Sequence, residues 1–150
     1  MNERCLRSLQ ARRVTLHLQW EERLRAAPFK SPLGHPDTLV HLMDRTLDQI
    51  FTELIHPTAR RRQPGLPSDF CRCGHNPLVT YFSTAVLALQ TTLGQCADEV
   101  PVTRDDVADV KRALTRIARR EIMTFCALCQ RNNTCLADPP DNGPGPPLEK

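Results

Sequence analysis

Apolar side chains recur every three to four residues through most of the chain, the spacing that lines one face of an α-helix. From about Asn2 to Ala27 the stripe is Leu6, Leu9, Leu16, Trp20 and Leu24, with arginines and glutamates on the other faces. Pro28 ends it, because proline has no amide to continue the helical ladder. A short loop, Phe29 to Pro36, holds two prolines and Gly34, and Asp37 is a good cap for a second helix. That helix carries Leu39, Val40, Met43, Leu47, Ile50, Phe51 and Leu54 at helical spacing and stops at Pro57. Asn76-Pro77 predicts the start of a third, since Asn caps and Pro suits the first turn. Its stripe is Leu78, Phe82, Ala85, Leu89, Leu93 and Cys96, weakened slightly by Gly94. Thr103 opens a fourth, with Asp105 and Asp106 at the positive end of the helix dipole. Val107, Val110, Leu114, Ile117 and Phe125 mark its inner face, which lasts to about Gln130.

Four such segments and no strand-like alternation predict an all-α fold, an antiparallel up-down four-helix bundle spanning residues 1–135. Residues 57 to 75 form a long cysteine-containing loop between the second and third helices, a length that points to function or disorder. After Cys135 the composition turns to Pro, Gly, Asp and Asn, so residues 136–150 read as a disordered tail.

Composition narrows the class without naming a function. The chain has 150 residues, 40% hydrophobic and 25% charged, with a formal charge of +3, which suits one modest domain. The N-terminal residues contain no continuous apolar run that would serve as a secretory leader, and no segment approaches the roughly 20 apolar residues of a membrane span. A cytoplasmic location is therefore expected, and there the seven cysteines are metal ligands, reactive thiols or buried small hydrophobes rather than a disulfide framework.

In an up-down arrangement the start of the first helix, the end of the second, the start of the third and the end of the fourth share one end. Cys5, Cys71, Cys73, Cys126, Cys129 and Cys135 then gather there, with Cys96 at the other end. Cys126 and Cys129 are neighbours on one helical face, and Cys71-Arg72-Cys73 is followed by Gly74, so both of its thiols can turn to one centre. Cys71, Cys73, Cys126 and Cys129 are thus the expected ligands of a closed structural zinc site, with His75 and Cys135 as substitutes. The C-x-x-C pair sits at a helix C-terminus, where the dipole disfavours thiolate, so a ligand role is favoured over redox catalysis. Buried packed thiols, disulfides and an iron–sulfur cluster are the alternatives.

Other features have plainer readings. His41 and His56 fit surface or helix-end positions. Arg112, Arg116, Arg119 and Arg120 share their helix with Asp105, Asp106, Asp109 and Glu121, so pairing is expected over nucleic-acid binding. No phosphate loop, nucleophile elbow or H-E-x-x-H sequence is present, and no enzyme is expected.

The segments Trp20 to Leu24, Ser31-Pro-Leu-Gly-His-Pro-Asp-Thr-Leu39 and Leu42 to Leu54 resemble the all-helical N-terminal sensor domains of RsbR-type stress regulators. The resemblance covers the first third to half of the chain and excludes the cysteine motifs. It implies a helical module that senses or docks a partner. The combined expectation is a non-enzymatic regulatory or interaction module with structural zinc, acting through a protein partner or as a homo-oligomer. The alternative is a thiol- or metal-based sensor that releases zinc or carries an iron–sulfur cluster.

Overall fold

A computed structural model describes residues 1–29, 34–57, 71 and 75–131. These residues form six α-helices: α1 (Glu3–Ala11), α2 (Arg13–Ala26), α3 (Pro36–Val40), α4 (Met43–Ile55), α5 (Pro77–Ala97) and α6 (Arg104–Arg131). The first two predicted helices are each divided by a local irregularity. At Arg12 the amide is shared between the carbonyls of Ser8 and Leu9, at 3.3 and 3.2 Å. The apolar stripe runs through that point in phase, because Leu9 and Leu16 are two turns apart. Cys5, Leu9, Leu16, Trp20 and Leu24 are all buried. Between α3 and α4, His41 and Leu42 form a turn in which the Leu42 amide donates to Leu39 at 3.0 Å.

The caps of the last two helices are those the sequence predicts. Asn76 accepts from the Leu78 amide at 2.9 Å, with Pro77 in the first turn. Thr103 and Asp106 cap α6 reciprocally: the Asp106 amide donates to Thr103 Oγ1 at 3.2 Å, and the Thr103 amide donates to Asp106 Oδ2 at 2.9 Å. Asp106 also accepts from the Asn2 amide at 2.5 Å, so this buried carboxylate fixes the start of α1 to the start of α6. Asp37 differs from its expected role. The helix begins at Pro36, with His35 at the cap position, so Asp37 lies inside the first turn.

Packing makes four columns. The α1–α2 column lies against α5, α5 against α6, α6 against α4, and α4 closes the ring on α2. Trp20 is at the centre. Its indole donates to the Tyr81 carbonyl at 3.1 Å and to Thr84 Oγ1 at 3.2 Å, and its ring lies 4.6 Å from that of Tyr81. The Tyr81 hydroxyl in turn donates to Thr46 Oγ1 at 2.9 Å. Three columns therefore meet through one buried chain of polar contacts. Gly34 is packed where a Cβ would come within 2.5 Å of the Phe29 ring and 3.1 Å of Pro77, so the entry to α3 lies close against the start of α5.

The direction of the columns departs from the up-down expectation. Tyr81 near the start of α5 meets Thr46 near the start of α4, so these two helices run parallel. Arg116 on α6 pairs with Glu53 near the end of α4, and the Met1 amino group donates to Asp109 at 2.5 Å. One end of the bundle thus holds the starts of α1 and α6 with the ends of α4 and α5. The other end holds the starts of α4 and α5 with the end of α6. The end of α4 and the start of α5 therefore lie at opposite ends of the bundle, where the up-down expectation placed both at one end. Side-chain periodicity specifies which face of a helix is buried but not which way the helix points, so the sequence pattern could not reveal this.

Stability should fall in acid for a defined reason. Burial raises the Asp106 carboxyl, but the amides of Asn2 and Thr103 and the Thr103 hydroxyl outweigh it and hold it below the usual range. Asp109 is lowered likewise, burial being outweighed by the Met1 amino group and Arg112. Such groups contribute stability above the unfolded carboxyl value of about 3.9, lost as pH falls through their lower folded values. Asp106→Asn should cost about 2 kcal/mol at neutral pH and flatten the loss of stability below about pH 4. Urea unfolding at several pH values checks both, and an unchanged acid limb would show that Asp106 does not carry the linkage.

Candidate thiol and metal site

The start of α5 and the end of α6 meet at Asn76. This side chain is 4% exposed and uses both ends of its amide. Its oxygen caps α5, while its nitrogen donates to the Ile122 carbonyl at 3.1 Å and to Cys126 Sγ at 3.2 Å. The chain entering α5 is thereby fixed to α6 one turn before Cys129. Cys71, just upstream, is half-buried and packs against the core edge, as does Cys126. Cys129 is half-buried and His75 is exposed.

Of the expected zinc ligands, Cys71, Cys126 and Cys129 are thus half-buried, with Cys71 and Cys126 packed at the edge of the core. Cys73 and Cys135 lie outside the described residues. Among the described residues, no three His, Cys, Asp or Glu side chains are close enough together to hold a metal ion. Cys71, His75, Cys126 and Cys129 therefore do not form a ligand set by themselves as they stand.

Cys5 corrects the shared-end expectation. It is fully buried on α1 beside Asp106 and Cys96, at the end of the bundle opposite Cys126. Burial pushes its thiol up to about 11, with the Asp106 carboxylate and Cys96 adding to the rise and the Met1 amino group opposing it. The parallel course of α4 and α5 is the cause: the start of α1 lies with the end of α5, not with its start. Two cysteines, Cys5 and Cys96, therefore belong to the far end.

The remaining charged candidates are engaged. Arg112 pairs with Asp109, Arg116 with Glu53, and Arg120 with Glu121 at 3.1 Å. A cavity of about 110 Å³ between α4 and α6 includes Arg112 and Arg116 with those same carboxylates, which leaves the pairs satisfied across it. No helix among the described residues is long and apolar enough to cross a membrane. Sequence reading identified Asn76 only as a cap. Its second role depends on a carbonyl and a sulfur 46 and 50 residues away, for which local sequence carries no signal.

No protein-family model, curated protein or solved structure matches the chain.

Two outcomes follow for the thiols and their anchor. With a disulfide reagent near pH 8, Cys5 and Cys96 should react only on unfolding, while Cys126 reacts in the native protein; equal native rates would contradict the burial. Asn76→Asp keeps the cap oxygen but sets a carboxylate against the Ile122 carbonyl. It should destabilise by about 1–3 kcal/mol; if Asn76 served only as a cap, Asn76→Asp would be near neutral.

Proposed function

We propose that this chain is a non-enzymatic regulatory or protein-interaction module whose α5–α6 end is tied by structural zinc. Cys71, Cys73, Cys126 and Cys129 are the ligands in this reading, with His75 and Cys135 able to substitute. One observation carries it: the Asn76 amide bonded to both Ile122 and Cys126. Cys73 is three residues before Asn76, so an extended chain keeps its Cα within about 11 Å of that anchor. In this reading Cys71 and Cys73 turn toward α6 to form a tetrahedron with the Cys126 and Cys129 thiolates, at Zn–S distances of about 2.3 Å. Binding would contribute its free energy to folding, because it pins the end of a connection that has few apolar side chains. A site closed by four protein ligands has no open position for substrate, in keeping with a module that docks a partner in a reducing, cytoplasmic setting.

The half-exposure of Cys126 and Cys129 favours a second reading. Oxidant can reach these thiols, so the same centre could act as a sensor that releases zinc and forms disulfides, or that holds an iron–sulfur cluster. The sensing role implied by the RsbR-type resemblance accords with it.

Protein purified without added metal should contain about one zinc per chain, and a strong chelator should lower its melting temperature by several degrees. Cys126→Ser and Cys73→Ser should both lose the metal, and Cys96→Ser should keep it. Metal-free protein whose melting is indifferent to added zinc would sink the proposal. Reversible zinc release under mild peroxide would select the sensor reading, and iron with sulfide the cluster.

A further inference from the structure

The cap of α5 asks less of residue 76 than the asparagine there supplies. An N-cap needs one side-chain oxygen, which serine, threonine or aspartate provides as well, and Thr103 caps α6 in that way. The Asn76 oxygen does this for the Leu78 amide, at 2.9 Å. What asparagine adds is an NH2 group with two donors, and both are turned onto α6. The orientation is forced from both ends. Only the oxygen can accept from an amide, and only the nitrogen can donate to the Ile122 carbonyl, at 3.1 Å.

Both acceptors belong to one turn of α6. In an α-helix the carbonyl of residue 122 receives the amide of residue 126. Asn76 therefore grips the backbone turn that carries Cys126 and, at 3.2 Å, the Cys126 sulfur itself. The side chain doing this is 4% exposed, so its direction is set by burial as well as by its partners. Cys126 also packs against the edge of the core. Its sulfur thus has a fixed direction, and Cys129, three positions on, shares its helical face.

A neutral thiol is a weak acceptor, whereas a metal-bound thiolate carries charge and takes a stronger bond from the same N–H. A buried donor aimed at sulfur has most to contribute when that sulfur holds a cation. We propose that Asn76 is the positioning residue of the thiol centre, its amide aiming Cys126 Sγ and sharing the thiolate charge once a thiophilic divalent ion is bound. This rests on the metal reading of Cys71, Cys73, Cys126 and Cys129 given above, and adds to it a residue that is not a ligand. The same side chain joins the centre to the fold. Metal binding at Cys126 and the capped start of α5 stabilise each other through it.

Cobalt(II) is the probe, because its thiolate charge-transfer absorption reports on the sulfur itself. Asn76→Ser keeps a capping oxygen and removes both N–H donors. The full-length variant should bind cobalt and zinc about 10- to 100-fold more weakly than the wild type. At saturating cobalt its charge-transfer band should move to longer wavelength, since a sulfur without its donor gives up an electron more easily. Metal-free protein supplies a second measure. A double-mutant cycle of Asn76→Ser with Cys126→Ala should be non-additive in melting temperature. A wild type that binds neither ion removes the metal reading and this inference together. Cobalt bound equally well by both proteins, with the same band, overturns this inference alone. So does weaker binding with an unmoved band, the mark of a merely structural role, or an additive cycle.

Discussion

The indole of Trp20 sits where the α1–α2 column, α4 and α5 converge, and its burial sets the terms for the rest of the bundle. A buried indole N–H without a partner is costly, so the ring can enter the core only where acceptors await it. The Tyr81 carbonyl and Thr84 hydroxyl provide them, and the Tyr81 phenol passes the chain of contacts on to Thr46. Hydrophobic burial is non-directional and would accept several arrangements of four amphipathic helices. These few polar contacts are directional and accept one. They hold the starts of α4 and α5 at one end of the bundle, so the two helices run parallel.

Consequences of that choice appear at both ends. At one, Asp106 gathers the start of α1 and the start of α6, with Cys5 and Cys96 enclosed beside it. At the other, Asn76 gathers the entry to α5 and the last turns of α6 beside Cys126. Each anchor is a helix cap recruited to a second task. Around them, arginines bridge columns: Arg12 to Glu99, Arg13 to Asp48, Arg116 to Glu53. Exposed pairs of this kind contribute little stability each, about 0–1 kcal/mol. Their directional geometry serves register more than stability.

The proposed metal centre draws on the start of α5 and the end of α6. The remaining inner positions of α5 complete the core against α1, α2 and α6, so one helix serves both the packing and the proposed site.

Local sequence determined the existence of the helices, their caps at Asn76 and Thr103, and the buried stripe from Leu16 to Trp20 and Leu24. It did so because helical periodicity, proline stops and capping residues act within a few positions of one another. It also showed that Cys71, Cys126 and Cys129 lie close to the helix ends that now adjoin one another. Helix direction was not legible. Tyr81, which decides it, entered no predicted stripe, and its partner Thr46 lies 35 residues away. Cys5 looked like a member of the cysteine cluster for the same reason, since its place follows from Asp106 and Cys96, far along the chain. Periodicity reports which side of a helix is buried. Only buried polar contacts between distant residues report what that side faces, and those form when the tertiary structure does.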